Sequence, residues 1–292
     1  MRPLCVAVLS AMLTVVAFVG CSDVPKVKPP GVDGGEGGPP PACQKPAATG
    51  FVAGKTLSVG GQPRSYATYV PTAYDGQRSF PLVVVLHGDG GTGAQIRSAL
   101  DVETASGNGA IFAYPDGQGK TWDTDDWIDG NKDLPFLDAL VKELLTTLCA
   151  DSTRVFVTGH SRGAYMANQL GCWRGGTVRA VASHSGGGPF DGTSKHFDDN
   201  GMVACPGSPV PALMIHGDAD NVVDIAEGQK SLAYWSYADR CQAGSTAAMP
   251  SPCQTQNACT PSPVTFCKIP GLSHAVWPQA PAAIWSFFDA LK

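Results

Sequence analysis

Short apolar runs alternate with longer amphipathic segments along most of the chain. The clearest run is Pro81–Leu86, which is apolar at every position and therefore predicts a strand buried on both faces of a sheet. Arg64–Val70 alternates between polar and apolar positions and predicts a half-buried strand. Similar short runs predict five more strands, at Ala110–Tyr114, Arg154–Thr158, Val178–Ser183, Val210–Ile215 and Val264–Ile269.

Helical periodicity fills the intervals between these strands. The predicted helices are Gln95–Gly107, Leu134–Cys149, Arg162–Cys172, Ile225–Arg240 and Ala280–Leu291. Strands that alternate with helices predict an α/β fold, with a mostly parallel sheet covered by helices on both faces, and residues 43–292 are predicted to form a single domain. Because ligands of such sheets bind beyond the carboxyl ends of the strands, we expect the chemistry in the loops there.

The N-terminal region has a different pattern. Arg2 precedes an apolar run from Leu4 to Val19, which is typical of a signal peptide and is too short for a spanning helix. Phe18-Val-Gly-Cys21 is similar to a bacterial lipobox, so we predict a signal peptide of the lipoprotein type over residues 1–20 and a lipid on Cys21. Plain secretion and a retained anchor are the alternatives.

Residues 21–42 contain six Pro and five Gly, which predicts an extended linker rather than a packed core. A disordered N-terminus without a tethering role is the alternative. Together with the lipid on Cys21, the linker predicts a secreted or cell-surface bacterial lipoprotein. Such a protein would contact a membrane only through its N-terminal lipid.

Composition narrows the class of protein. The net charge is −5, and 43% of the 292 residues are apolar against 15% charged. A chain of this kind lacks the basic face that nucleic-acid binding needs, and it is too apolar to be mainly disordered. We therefore expect a globular protein with no nucleic-acid partner.

The cysteines agree with export. Of the ten, Cys5 would leave with the signal peptide and Cys21 would carry the lipid, which leaves eight. An even number in an oxidising compartment predicts up to four disulfides, whose pairing the sequence leaves open. A small loop closed by Cys253 and Cys259, within a polar insertion, is one candidate. No Cys or His spacing is typical of zinc, so no metal is predicted.

The segment Gly159-His-Ser-Arg-Gly163 lies between a predicted strand and a predicted helix. In that context G-x-S-x-G is the pattern of a nucleophile elbow, a turn too tight for side chains at its glycines. The elbow raises the serine hydroxyl above the sheet, and the N-terminus of the following helix adds positive potential. We predict Ser161 as the nucleophile; an ordinary glycine-rich turn is the alternative.

A serine nucleophile needs a base, and histidine is best matched to neutral pH. His274 lies between the last predicted strand and the last predicted helix, where a hydrolase with the order Ser, acid, His carries its base. Asp218, Asp220 and Asp224 follow the penultimate strand and compete to be the acid that orients the imidazole. Asp220 is favoured because the loop must leave the strand and then turn back toward His274.

The oxyanion hole is expected in the turn Leu86-His-Gly-Asp-Gly-Gly91, after the central strand. Backbone N–H groups of Asp89 and of Arg162, the residue after the nucleophile, are predicted to form it. The Asp89 carboxylate would oppose the developing charge unless it points away or pairs with a cation. Arg162 is a candidate for that cation, and contact of Arg162 with substrate is the alternative. A phosphate loop is disfavoured because its G-K-[ST] ending is absent.

Together these segments resemble the secreted feruloyl esterase and polyhydroxybutyrate depolymerase group of the α/β-hydrolases. The resembling segments are Pro81–Gly88, Tyr114–Gly117, Lys132–Leu140, Arg154–Gly163, His216–Val223, Ser231–Trp235 and Gly271–Pro278. The resemblance implies an α/β-hydrolase fold with Ser161, Asp220 and His274 as its triad. The chain departs from the group at Arg162, at Leu272-Ser273 and in the insertion around Cys253 and Cys259.

Three tryptophans are candidates for contact with substrate. Trp122 and Trp127 lie in the acidic segment Thr121–Gly130, where they could stack on a sugar or phenolic ring or pack the loop onto the core. Trp277 follows His274 by three residues and could line the leaving-group side or anchor the core. The aspartates of Thr121–Gly130 lack the spacing of a calcium loop, so a solvated acidic loop is favoured.

These features predict an exported serine ester hydrolase that forms an acyl-enzyme without a metal or organic cofactor. From the resemblance, its partner would be an ester substrate: a feruloyl or acetyl ester of plant polysaccharide, or a polyhydroxyalkanoate-type polyester. A serine peptidase or acyltransferase on the same fold is one alternative. A non-catalytic, surface-binding lipoprotein is another, and it would require a broken triad.

Overall fold

The computed structural model describes residues 43–291, in which ten strands and six α-helices form one α/β domain. The strands are β1 (Gly50–Val59), β2 (Gln62–Val70), β3 (Phe80–Leu86), β4 (Ile111–Pro115), β5 (Ala150–His160), β6 (Val178–His184), β7 (Ala212–Gly217), β8 (Gln242–Ala247), β9 (Cys253–Asn257) and β10 (Val264–Ile269). The helices are α1 (Gly93–Leu100), α2 (Val102–Ala105), α3 (Leu134–Thr147), α4 (Arg162–Arg174), α5 (Ile225–Ala238) and α6 (Ala280–Asp289). The predicted signal peptide, Cys21 and the linker lie outside the described residues.

All ten strands join one sheet in the order β1-β2-β4-β3-β5-β6-β7-β10-β9-β8. The six central strands, from β4 to β10 in that order, run parallel, and the remaining pairs at the two edges are antiparallel. The predicted mostly parallel sheet is therefore confirmed. The sequence pattern missed β1, β8 and β9.

Helices cover both faces of this sheet, as predicted. On β3, Leu82 and Val84 point into a core that α3, α4 and α5 complete, whereas Val83 and Val85 point into a second core with α1, α2 and α6. These four side chains are almost fully buried. A strand between two cores must be apolar at every position, which explains the continuous run in the sequence.

The single helix predicted over Gln95–Gly107 is two helices. Asp101 separates them with a left-handed backbone, φ 24°, and its carboxylate accepts the N–H of Thr104 at 3.4 Å as the N-cap of α2. An aspartate that caps a new turn competes with continuation of the helix, which the apolar periodicity alone does not reveal.

Four disulfides join the eight cysteines of the described chain: Cys43–Cys149, Cys172–Cys205, Cys241–Cys259 and Cys253–Cys267. The expected loop between Cys253 and Cys259 is wrong, because the extended strand β9 separates these two cysteines. Cys253 instead lies directly opposite Cys267 in the β9–β10 pair. Four disulfides are typical of proteins from an oxidising compartment, such as the extracellular space. Among residues 43–291, no helix is long and apolar enough to span a bilayer.

Candidate active site

The turn between β5 and α4 holds Ser161 in a backbone conformation that a non-glycine residue rarely adopts, φ 56° and ψ −124°. The glycines on either side allow the turn to form. A Cβ on Gly159 would lie 2.5 Å from the carbonyl carbon of Gly163, and one on Gly163 would lie 2.5 Å from the carbonyl oxygen of His87. The G-x-S-x-G pattern therefore corresponds to a sharp strand–helix elbow with the serine at its tip.

Ser161, His274 and Asp220 come together at the carboxyl ends of β5, β10 and β7. His274 Nε2 lies 2.9 Å from Ser161 Oγ, and His274 Nδ1 lies 2.8 Å from Asp220 Oδ2. An ionised carboxylate only accepts hydrogen bonds, so Nδ1 carries the imidazole proton and Nε2 is free to accept from the serine hydroxyl. The three side chains form one hydrogen-bonded line, with the carboxylate buried and the imidazole 16% exposed.

The Asp220 carboxylate is fixed by its own loop. Its Oδ1 accepts the N–H groups of Val222 at 3.0 Å and Val223 at 2.9 Å. Burial raises the pKa of Asp220, but the hydrogen bonds from His274, Val223 and Val222 outweigh it, and the pKa falls below its ordinary value. Asp220 is therefore ionised throughout the pH range in which His274 would act as a base.

The two competing aspartates of the same loop make other contacts. Asp218 accepts the N–H of Gly271 at 2.7 Å and so joins the Asp220 loop to the His274 loop. Asp224 accepts the N–H of Ala226 at 2.8 Å and caps α5. Neither carboxylate contacts His274.

Two further histidines pack beside His274. The ring of His160 lies 4.9 Å from the His274 ring, and the ring of His184 lies 5.2 Å from that of His160. Burial, reinforced by the neighbouring His274, lowers the pKa of His160 to about 4. Burial also holds the pKa of His184 well below its usual range, and its Nε2 accepts the N–H of Trp277 at 2.9 Å. Both rings are therefore neutral at pH 7, and sequence motifs alone did not single them out.

The turn after β3 lies against the nucleophile. A Cβ on Gly88 would be 3.3 Å from the Ser161 Cβ, so the following residue, Asp89, borders the same space. Asp89 lines the cleft at Ser161, and its N–H makes no hydrogen bond within the described chain. Arg162 is the first residue of α4, where a helix leaves its N–H groups without an intrahelical partner. The two residues whose N–H groups are predicted to form the oxyanion hole thus both line the cleft at Ser161.

The side chain of Arg162 does not pair with Asp89. Its Nε donates to the carbonyl of Trp122 at 2.8 Å, and its Nη2 donates to Asp125 at 3.0 Å. The guanidinium thus joins the nucleophile helix to the acidic segment Thr121–Gly130. The suggested pairing with Asp89 is wrong because these two acceptors already hold the guanidinium.

The three tryptophans belong to the packing of the domain. Trp122 is fully buried and donates its indole N–H to the carbonyl of His87 at 2.8 Å. Trp127 is half-buried and stacks on His196, with 4.3 Å between ring centroids, and Trp277 lies in the core beside α6. None of them is among the residues that line the cleft at Ser161, which favours the alternative in which they pack the loop and the core. A buried ring and an exposed ring give the same sequence signal.

The cleft at Ser161 has a volume of about 360 Å³. Its lining residues are Asp89, Thr124, Asp125, Ser161, Arg162, Tyr165, Phe190, Val223 and Glu227. The Tyr165 hydroxyl donates to Glu227 at 3.4 Å, and Phe190 is 48% exposed at the edge. Tyr165, Phe190 and Glu227 carry no sequence motif and were not predicted.

Comparison with known proteins agrees with this geometry. Residues 126–256 match the phospholipase/carboxylesterase family of α/β-hydrolases. The probable feruloyl esterase C of Aspergillus clavatus is 30% identical over 244 residues, which cover 78% of this chain and 84% of that protein. The chain belongs to the feruloyl esterase group of the α/β-hydrolases. It is therefore a carboxylic ester hydrolase.

Solved structures show the same fold for this esterase. An acetyl xylan esterase from Aspergillus awamori aligns with a TM-score of 0.63 and 18% identity, over 80% of this chain and 98% of that chain. A ferulic acid esterase from Anaeromyces mucronatus aligns with a TM-score of 0.54 and 15% identity, over 84% of this chain and 92% of that chain. At these identities the likeness concerns the fold alone.

Proposed function

We propose that this esterase is an exported serine hydrolase in which Ser161, His274 and Asp220 act as a catalytic triad. The observation that carries the proposal is the continuous contact from hydroxyl to imidazole to carboxylate, at 2.9 Å and 2.8 Å. These distances are within reach for direct proton transfer from Ser161 to His274. Asp220 holds the imidazole in the tautomer that accepts this proton and stabilises the imidazolium that results.

In the acylation step, Ser161 Oγ attacks the ester carbonyl carbon while its proton passes to His274 Nε2. The negative charge on the former carbonyl oxygen is stabilised by the N–H groups of Asp89 and Arg162. Collapse of this intermediate breaks the bond to the alcohol, which leaves with the proton from His274. The acyl group then remains bonded to Ser161.

In the deacylation step, His274 takes a proton from a water molecule that attacks the acyl-enzyme. The second tetrahedral intermediate uses the same two N–H groups. Its collapse breaks the bond to Ser161 Oγ, which recovers the proton from His274 and releases the carboxylic acid. The low pKa of His160 supports this scheme, because a neutral ring beside His274 does not repel the transient imidazolium.

We infer that the substrates are feruloyl or acetyl esters of plant polysaccharide. The relatives and the aligned structures whose names specify feruloyl, ferulic acid or acetyl xylan esterases support this substrate class. Polyhydroxyalkanoate-type polyesters are the second candidate, because the group that the sequence motifs resemble also includes polyhydroxybutyrate depolymerases.

The test of the triad is a burst experiment with p-nitrophenyl acetate. We expect a burst of p-nitrophenol equal to the enzyme concentration, followed by a slower steady state, and no burst from Ser161→Ala. Ser245→Ala, which changes an exposed serine on β8, is the matched control and should keep the burst. A full burst from Ser161→Ala would reject Ser161 as the nucleophile.

The test of the substrate class compares methyl ferulate, acetylated xylan and short polyhydroxybutyrate chains under one set of conditions. We expect hydrolysis of the first two with the higher kcat/KM. Hydrolysis of the polyester alone would contradict the proposal and favour the second candidate.

We also propose that the chain is exported and held at a membrane by a lipid on Cys21. Disulfide bonding of all eight cysteines from Cys43 onward supports an oxidising compartment. The test is expression in a bacterial host with a labelled fatty acid, followed by fractionation. We expect label in the wild-type chain and none in Cys21→Ala; a membrane-bound but unlabelled wild-type chain would reject the lipid.

A further inference from the structure

A second groove adjoins the cleft at Ser161. It has a volume of about 420 Å³ and lies between α5 and the segment that follows β6. Its lining includes Pro189, Phe190, Phe197, Met202, Glu227 and Lys230. Phe190 and Glu227 line both the groove and the cleft, so the two spaces are neighbours that share these side chains.

Phe190 is held in its exposed position by a buried amide. Gln169, on the nucleophile helix α4, is 1% exposed. Its Nε2 donates to the Phe190 carbonyl at 2.6 Å, and its Oε1 accepts the Phe190 N–H at 2.9 Å. Both backbone groups of one residue are thus fixed, while its ring, 48% exposed, faces solvent where the cleft and the groove meet.

The rest of the segment is also fixed before any ligand arrives. The buried Asp191 carboxylate accepts N–H groups from Thr193 at 2.9 Å, Lys195 at 2.8 Å and His196 at 2.7 Å. Phe197, 44% exposed, forms a β-bridge with Val203, and Cys205 is bonded to Cys172 of α4. A binding surface that is ordered in advance loses less entropy when it binds.

The groove combines exposed aromatic faces with charged groups. Phe190 and Phe197 offer apolar faces, and the Glu227 carboxylate, 2.6 Å from Lys230 Nζ, offers hydrogen-bonding groups for hydroxyls. A sugar ring has an apolar C–H face and hydroxyl edges, so it matches both kinds of contact. The groove is open to solvent, which suits a chain that continues beyond it rather than a compact acyl group.

We propose that this groove is a subsite for the saccharide chain that carries the ester, with Phe190 and Phe197 stacking on successive sugar rings. The proposal rests on the proposed function, because the saccharide is the alcohol part of the polysaccharide ester. It adds a subsite outside the cleft where bond cleavage takes place.

The first experiment compares methyl ferulate with a feruloylated arabinoxylo-oligosaccharide, which differ only in the alcohol. The readout is the ratio of kcat/KM for the oligosaccharide to kcat/KM for methyl ferulate. We expect Phe197→Ala to lower this ratio roughly tenfold, through KM for the oligosaccharide, because one apolar contact face is lost. Phe197→Trp should retain the ratio, and Phe51→Ala, an exposed phenylalanine on β1, should leave it unchanged.

The second experiment needs no turnover. Calorimetric titration of the Ser161→Ala variant with an unesterified xylo-oligosaccharide should give measurable binding that a further Phe197→Ala change weakens roughly tenfold. Equal losses for both esters would assign the groove to the acyl group, and an unchanged ratio together with unchanged binding would remove the subsite. Either result overturns the proposal. A failure of the proposed function is separate, since it would appear as a burst from Ser161→Ala or as no hydrolysis of either ester by the wild-type enzyme.

Discussion

The centre of the sheet and its C-terminal edge are held together in different ways. In the centre, β3 is buried along its whole length between two apolar cores. At the edge, all six residues of β8 are exposed, and β9 buries only Cys253. The centre is stabilised by packing, whereas the edge has little apolar area to bury.

Two disulfides hold this edge. Cys253–Cys267 joins β9 to β10 and is buried in the second core, and Cys241–Cys259 joins the starting end of β8 to the residues after β9. A disulfide stabilises mainly by restricting the unfolded chain, so it does not depend on the burial of the exposed strand β8. The comparison indicates that covalent cross-links supplement the sparse packing at this edge, while the predicted triad lies at the packed centre.

The largest effect is expected when the carboxylate that contacts His274, at the centre of the sheet, is removed. Asp220→Asn should lower kcat about 10⁴-fold, because the amide cannot hold the His274 tautomer or stabilise its imidazolium. Asp218→Asn is the matched control from the same loop and should keep kcat within about threefold, because an amide oxygen can still accept the Gly271 N–H. Steady-state hydrolysis of methyl ferulate measures both, and comparable activity of the two variants would argue against Asp220 as the acid.

The second-largest effect is expected when a buried side chain in the packed centre is truncated. Leu82→Ala is expected to lower the free energy of unfolding by about 2–5 kcal/mol, since Leu82 is fully buried and its removal leaves a cavity. Val52→Ala, at a 42% exposed position on β1, should change it by less than about 0.5 kcal/mol. Denaturant titration provides the measurement. Equal effects of the two variants would contradict the conclusion that packing stabilises the centre.

Removal of an edge cross-link should cost less than the worst core truncation. The double variant Cys253→Ala/Cys267→Ala opens a loop with a sequence separation of 14 and should lose about 3 kcal/mol of stability. We expect kcat at 25 °C to remain near the wild-type value, because the edge carries no catalytic group. A kcat loss of tenfold or more in a folded double variant would show that the edge also shapes the site.

The smallest expected effect is a change in the pH dependence of stability, caused by Asp239. Asp239 lies at the base of the edge, where its Oδ1 accepts the Ser262 N–H at 3.0 Å and its Oδ2 has no partner among the described residues. Burial raises its pKa to about 7. Because the folded state binds the proton more tightly than the unfolded state, stability should fall as the pH rises from about 4 to 7.

Asp239→Asn removes this titration and should therefore stabilise the protein at pH 8 relative to wild type, with no gain at pH 4. Unfolding curves at the two pH values measure the difference. Asp199→Asn, an exposed carboxylate, is the control and should show no such difference. A gain for Asp239→Asn that is the same at both pH values would exclude the titration as its cause.

The same contrast explains how far the sequence predicted the fold. The seven predicted strands were found because burial on one or both faces imposes an alternating or continuous apolar pattern on their residues. β1, β8 and β9 were missed because their residues are largely exposed, so burial imposes no apolar pattern on them. The division of one predicted helix at Asp101 was missed because a local cap, not apolar periodicity, decides it.

The residues of the candidate site also fall into two groups, those that the sequence predicted and those that it did not. Ser161, Asp220 and His274 could be located because each follows a recognisable strand and the elbow has a fixed glycine pattern. The cleft walls could not be located, because Phe190 and Glu227 reach the cleft through tertiary packing, and Tyr165, one helical turn after Ser161, has no motif of its own. Trp122 carries a strong aromatic signal but is buried beneath the site, and the Gln169 amide that holds Phe190 has no sequence pattern at all.

The bond between Cys43 and Cys149 has a mechanical consequence. Cys149 directly precedes β5, the central strand that ends at the nucleophile elbow. A force applied to the residues before Cys43 would be transmitted through this disulfide to Cys149 and along β5. The hydrogen bonds of β5 to its parallel neighbours β3 and β6 would resist this force in shear. The exposed strand β1 would not carry this load, because it follows Cys43 in the chain.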